Sequence, residues 1–184
     1  MNIGLLLWLV PVLFTIHNLE EALTMRKYGT GHFRNMQRGQ FAAAVILLTL
    51  LAVSFIYLGT NDEYGVMGRI LAIFIQASLC INALVHMIAS IRFRRYTPGV
   101  ITAVLIYIPF SLYLFDAALK TSYVTGMQLA WAFVAGVVLQ LPLVLGALFV
   151  GGWLVRVFRG GDRSSDRLEN TFKSITASLY YVVH

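Results

Sequence analysis

The chain has little of what a soluble domain of its size needs. Only 12% of its 184 residues are charged, whereas a water-facing surface takes about a quarter. A freestanding globular domain is excluded on that ground. There is a single cysteine, Cys80, set within an apolar run, so no disulfide framework exists and the redox compartment is left open. Proline, glycine and serine do not gather into a linker, and no repeat of fixed period recurs. The amino-terminal stretch lacks a basic leader and a small-x-small cleavage site, so it is expected to stay in the mature protein.

What the chain has in quantity is apolar sequence: 59% of its residues. Runs of about 18 or more such residues read as bilayer spans. Five are expected, from Ile3 to Met25, Phe41 to Leu58, Gly68 to Ile91, Pro98 to Leu119 and Met127 to Phe158. The last is longer than a core of about 30 Å requires, which predicts tilt, a kink at Pro142 or continuation beyond the membrane. The expected fold is all-α, a polytopic membrane helix bundle over residues 1–160 with a cytoplasmic amphipathic tail at 161–184. In that tail Leu168, Phe172, Ile175, Leu179 and Val182 recur at three- and four-residue spacing, and Asp166 with Glu169 suits a helix start. With Arg167 and Lys173 among its polar positions it reads as an interfacial helix on the inner leaflet, a partly disordered tail being the alternative.

Basic residues set the orientation. The first connection holds Arg26, Lys27, Arg34 and Arg38, the third Arg92, Arg94 and Arg95, and the tail opens with Arg156, Arg159 and Arg163. The second connection instead carries Asp62 and Glu63 before Arg69, and the fourth has only Lys120. The positive-inside rule then puts the amino terminus outside and the carboxyl terminus in the cytoplasm, with a bacterial inner (plasma) membrane as the expected location. The net charge of +6 is accounted for as a topology signal, and nucleic acid is not an expected partner. Asp116 and Lys120 read as a local i, i+4 pair.

Several polar residues lie where a bilayer should exclude them. At about 100° per residue, Glu20 and Glu21 fall roughly 60° and 40° to either side of His17, so all three share one sector of the first span, extended by Thr24. Counted back from Arg26, His17 lies about 13 Å deep, and ionisable groups at such depth usually mark a site. The competing reading is a pair of interfacial carboxylates reaching into water. The third span offers a matching face, with Asn82 and His86 one turn apart and Ser78 and Ser90 on the same ladder. His86 is about 9 Å from the end at Arg92. If spans one and three pack together, two imidazoles and two carboxylates converge, a donor set suited to zinc or non-haem iron. The fourth span opens with Tyr96-Thr97-Pro98-Gly99. Pro98 suits the first helical position, and Gly99 would let a backbone or ligand approach closely.

These segments resemble a family. His17-Asn18-Leu19-Glu20-Glu21, Asn82-Ala83-Leu84-Val85-His86 and Tyr96-Thr97-Pro98-Gly99 look like the three signature motifs of the HXXEE family of integral membrane proteins, in order and without departure. The interval from first to last covers nearly half of the chain. The resemblance implies a metal-dependent membrane enzyme and supplies neither reaction nor substrate.

The expected chemistry is therefore argued from the residues, and it is hydrolysis. His17, His86 and one of Glu20 and Glu21 would hold a divalent metal, zinc foremost, with iron or manganese as alternatives. The other glutamate would act as general base on a water whose pKa the cation lowers toward about 7. Asn82 would donate to a developing oxyanion or fix a ligand tautomer. Tyr96, Pro98 and Gly99 would line the site, and His32 in the first cytoplasmic loop would complete it. Spacing alone does not say which glutamate plays which part. A site between helices at the inner leaflet favours a lipid, a lipid-like molecule or a membrane-embedded peptide as substrate. A homo-oligomer is compatible with all of this.

Two other classes stay open. In the first, Glu20 and Glu21 share a proton and serve with His86 as a metal-free acid and base, in a membrane protease or lipid isomerase. The paired-glutamate motif of the CAAX-type membrane proteases is similar, but there the following arginine comes one residue earlier than Arg26 does here. In the second, the same carboxylates form a proton or cation site of a transporter. Five spans do not divide into two equal repeats, which counts against that reading.

Overall fold

The computed structural model describes residues 2–29 and 37–158. Among the described residues the regular structure is helical throughout. We number the helices α1 (Ile3–Tyr28), α2 (Arg38–Thr60), α3 (Gly65–Phe93), α4 (Val100–Lys120) and α5 (Gly126–Phe158). All five are long and apolar enough to cross a membrane, and the chain is an integral membrane protein. The shortest, α4, has 21 residues, about 31 Å at 1.5 Å per residue. A helix closes its own backbone hydrogen bonds, which a hydrocarbon core demands because it offers no water to replace them.

Residues outside the regular runs explain where the helices stop. The Asn2 side chain accepts from the Gly4 amide at 2.9 Å and caps α1. Asn61 does the same for a short 3-10 turn, Asp62–Tyr64, that leads into α3. Helix α3 ends on Arg94 in the left-handed region (φ 49°). The Arg94 and Arg95 amides donate back to the Ile91 and Ser90 carbonyls, a Schellman closure. The Ser90 hydroxyl then donates to the Arg95 carbonyl at 2.7 Å and pins the chain as it turns.

The fourth span departs from expectation at its start. Pro98 does not occupy the first helical position. The Val100 amide instead donates to the Thr97 carbonyl at 3.1 Å, and Gly99 has φ 85° and ψ −9°. Those angles belong to the third residue of a type II turn, with proline before it. The helix begins only at Val100, so Pro98-Gly99 is a hinge-like bend rather than a first turn. One turn later, Ala103–Tyr107 is wound as a π-helix. Helix α5 runs unbroken through Pro142.

Helices α1 to α4 share an apolar core containing Leu7, Val10 and Phe14 of α1, Ile56 of α2, Ile75 and Leu79 of α3 and Leu114 of α4. Small residues bring backbones together. A Cβ on Gly151 of α5 would meet the Gln40 carbonyl oxygen at 2.8 Å and the Ala44 amide nitrogen at 2.9 Å on α2. Large apolar side chains such as Leu5, Leu105 and Val137 point outward, as lipid contact requires. The expected Asp116–Lys120 pair is formed at 2.7 Å. His32 and the amphipathic helix expected at 161–184 lie outside the described residues.

Candidate functional site

The polar groups of α1, α3 and the start of α4 meet near the basic ends of α1 and α3. His17 is 2% exposed. Its ring stands edge-on to those of His86 and Tyr107, with centroids 5.1 Å and 5.6 Å away. Glu21 Oε1 lies 3.0 Å from His86 Nε2 and 3.9 Å from His17 Nε2. One ligand atom from each of His17, Glu21 and His86 falls within 4.8 Å of the other two. Sequence spacing left open which glutamate joins the histidines; the residue that does so is Glu21.

Glu20 points elsewhere. Its Oε1 accepts from the Tyr96 hydroxyl at 2.5 Å and the Ile101 amide at 3.1 Å. Its Oε2 accepts from the Thr102 amide at 2.7 Å and the Thr102 hydroxyl at 2.6 Å. The first amides of α4 have no partners within their own helix, and a carboxylate there satisfies them while complementing the helix dipole. Burial, and then the hydrogen bond to the Glu20 carboxylate, push the Tyr96 phenol above its ordinary value of 10. Tyr96 therefore stays a donor at neutral pH. Glu20 is a clasp that ties α1 to α4.

The clasp also sets the protonation of His17. A carboxylate oxygen only accepts, so the Thr102 hydroxyl spends its proton on Glu20. The Thr102 oxygen, 2.8 Å from His17 Nδ1, must then accept from that nitrogen. With the proton on Nδ1, the Nε2 lone pair of a neutral His17 faces Glu21 and His86. Asn82 Nδ2 lies 3.4 Å from the same Nε2, as a donor would, while Asn82 Oδ1 accepts from Gln140 Nε2 at 3.2 Å. His86 is held from the turn, where the Thr97 hydroxyl donates to the His86 carbonyl at 3.1 Å.

Gly99 is required here for space as well as for its positive φ. A Cβ at this position would lie 2.7 Å from His17 Cε1 and 3.0 Å from Glu21 Cγ. The close approach anticipated at Gly99 is made by these two side chains. Beside the trio is a cavity of about 330 Å³ between α1, α2, α3 and α5, mostly apolar, with Glu21, His86, Asn82 and Gln140 on its wall.

Two contributors were not anticipated. Gln140 is an amide in the middle of a long apolar helix, a signal that was available, because polar side chains in spans tend to bond across helices. Thr102 carried no such signal: a threonine near the start of a helix is commonplace, and its importance comes from the turn that aims it. His17, Glu21, His86 and Asn82 are brought together, Tyr96 and Glu20 form the clasp, and Pro98 and Gly99 form the turn against it.

The class defined by this fold and site is a polytopic helical membrane protein with a partly buried His–Glu–His group beside an apolar cavity. The chain belongs to the family described as proteins of unknown function with an HXXEE motif, whose model matches residues 8–114. It is similar to the uncharacterized protein YrkK of Bacillus subtilis (strain 168), 30% identical over 134 residues that cover 68% of this chain and 82% of the relative. No solved structure matches the chain.

Proposed function

We propose that the protein is a metal-dependent membrane hydrolase acting on a lipid or a membrane-embedded substrate at the cytoplasmic leaflet. The observation that carries this reading is the trio of His17, Glu21 and His86, with ligand atoms within 4.8 Å, beside an apolar cavity whose wall includes Glu21 and His86. Two imidazoles and one carboxylate form a donor set that catalytic zinc accepts while keeping a position open, and that non-haem iron also accepts. The widest separation exceeds what bonds of about 2.0–2.2 Å permit, so the rings would close inward on an ion. The orientation of His17 by Thr102 and Glu20 supports the fit, since ligating histidines usually give their other N–H to an acceptor that fixes the tautomer. A divalent ion held there would supply Lewis acidity.

The remaining steps belong to the side chains. Hydrolysis adds the oxygen of water to the acyl carbon and breaks the bond to the leaving group. One proton of the water goes to that group and the other leaves with the base. Both Glu20 oxygens already accept two hydrogen bonds each, so the base role expected for one of the glutamates does not suit Glu20. Glu21 is the carboxylate left to take a proton and hand it on, through the oxygen that would not face the ion. Asn82 supplies a donor for the developing oxyanion. The 3.0 Å contact between Glu21 and His86 favours one second reading, in which the two form a metal-free acid–base pair. A bacterial plasma membrane is the proposed location, supported by the five apolar helices and the Bacillus relative.

Elemental analysis of the purified protein tests the reading beside His17→Ala, Glu21→Gln, His86→Ala and Glu20→Gln. The parent is expected to hold close to one ion per chain, with the first three variants losing it. Glu20→Gln is expected to fill at high metal concentration with about 10–100-fold weaker affinity, as for other groups that orient a ligand. A parent that works without metal would sink the metal reading and leave the Glu21–His86 pair.

A further inference from the structure

The cavity beside the trio is long and narrow. On α3 its lining runs from Ile75 to Phe93, about 27 Å at 1.5 Å per residue. A volume of about 330 Å³ is at the small end of ligand cavities, room for one hydrocarbon chain rather than two. The walls are unequal along its length. The deep end, around Phe14, Ile75 and Leu79, is mostly apolar, with the Ser78 hydroxyl among its lining. The end toward the loop between α3 and α4 has Arg95, which stacks on Phe93 and has no carboxylate partner among the described residues. His86 and Glu21 lie between these ends, with His86 about 10 Å along α3 from its end at Phe93.

We propose that the cavity binds a single-chain anionic amphiphile of the lysophospholipid class. The negative head group lies at Arg95, the glycerol ester beside Glu21 and His86, and the acyl chain in the deep end. Arg95 supplies the complementary charge and a planar set of donors suited to phosphate. The distance from Phe93, on which the Arg95 guanidinium stacks, to His86 leaves room for a phosphate and glycerol before the ester. From His86 to Ile75 there remain about 16 Å for the chain. This inference rests on the hydrolase reading for the position of the reacting bond, but binding itself needs only the cavity and Arg95.

The test uses the full chain in lipid nanodiscs, freed of metal by chelation. The probe is hexadecanoyl lysophosphatidylglycerol with a photoreactive diazirine at the end of its chain, and the labelled residues are mapped by mass spectrometry. Label is expected at the deep end, on Phe14, Ile75 or Leu79. Val45→Phe and Val144→Phe, which add bulk to the cavity from two different helices, should each lower that label at least fivefold. Arg95→Gln should lower it at least threefold, toward the level of an uncharged monoacylglycerol bearing the same diazirine chain. Label spread over the lipid-facing Leu5, Leu105 and Val137 without enrichment in the cavity would overturn the proposal. So would cavity label indifferent to both phenylalanine variants or to Arg95→Gln. Because ions are absent throughout, cavity label in a protein later found to bind no metal would uphold this inference and defeat the hydrolase reading. Stoichiometric metal without cavity label would do the reverse.

Discussion

Replacing Gly99 by alanine separates the cost of backbone strain from the cost of disturbing the site. Gly99 has φ 85°, and an L residue held at positive φ costs about 1–3 kcal/mol. Gly65, at φ 51° and ψ −136°, is a backbone still less open to an L residue, but a Cβ there meets nothing within 4 Å. At Gly99 the added carbon would sit 2.7 Å from His17 Cε1 and 3.0 Å from Glu21 Cγ, where ordinary contact begins near 3.4 Å. The His17 ring must therefore retreat by about 0.7 Å (3.4 less 2.7) and Glu21 by about 0.4 Å (3.4 less 3.0). Two of the three candidate ligands move, in different directions. We expect both Gly99→Ala and Gly65→Ala to lose thermal stability. Only Gly99→Ala should lose metal affinity, by at least the 10–100-fold that follows from disturbing an orienting group. The assay is competition for metal against a chromogenic chelator in detergent, run beside thermal unfolding. Parent-like affinity in Gly99→Ala, or an equal loss in Gly65→Ala, would refute the reasoning.

Two further outcomes are expected. Thr102→Val removes both the acceptor for His17 Nδ1 and a donor to Glu20, and should weaken metal binding about 10–100-fold, while Thr102→Ser restores it; equal behaviour of the two variants in the competition assay would rule out the hydroxyl relay. Tyr123, which donates to the Gly59 carbonyl at 2.7 Å, is pushed up to about 12 by burial, with Arg69 opposing the shift and Asp62 adding to it. A folded pKa above the ordinary 10 means that its contribution to stability is whole below pH 10 and falls as pH rises toward 12. Thermal unfolding across that window should show the decline, and Tyr123→Phe should flatten it; an undiminished slope in the variant would count against the assignment.

The spans were legible because hydropathy and helix length are both set by the bilayer, and most ends fall within a few residues of expectation. Helix α1 runs on to Tyr28 and α2 starts at Arg38, since charged residues extend a helix into the interface without being apolar. The fourth start was misplaced for a physical reason. Proline fits the first turn of a helix and the second position of a type II turn equally well, and only the positive φ of Gly99 decides between them. The polar faces of α1 and α3 were visible from their periodicity. The division of labour between Glu20 and Glu21 was not, because it depends on donors arriving from α4. Thr102 acquires its role from packing alone, whereas Gln140 was readable as a polar residue in an apolar span.

The spacing of the first motif has a geometric reason that the assembled site makes clear. Glu20 and Glu21, at i+3 and i+4 from His17, leave the helix on opposite sides of the histidine while staying on its face. From one side Glu20 reaches the first amides of α4, and Thr102 carries that contact back to His17 Nδ1. From the other side Glu21 reaches His86 on α3, beneath His17 Nε2. Each nitrogen of the imidazole is thus governed by a different glutamate, one through a hydroxyl and one across the open face of the site. A pair placed one residue earlier or later would rotate by about 100°, and one arm would lose its partner helix. The two adjacent acids are therefore not redundant charges: one builds the fold around the histidine, which leaves the other free for chemistry.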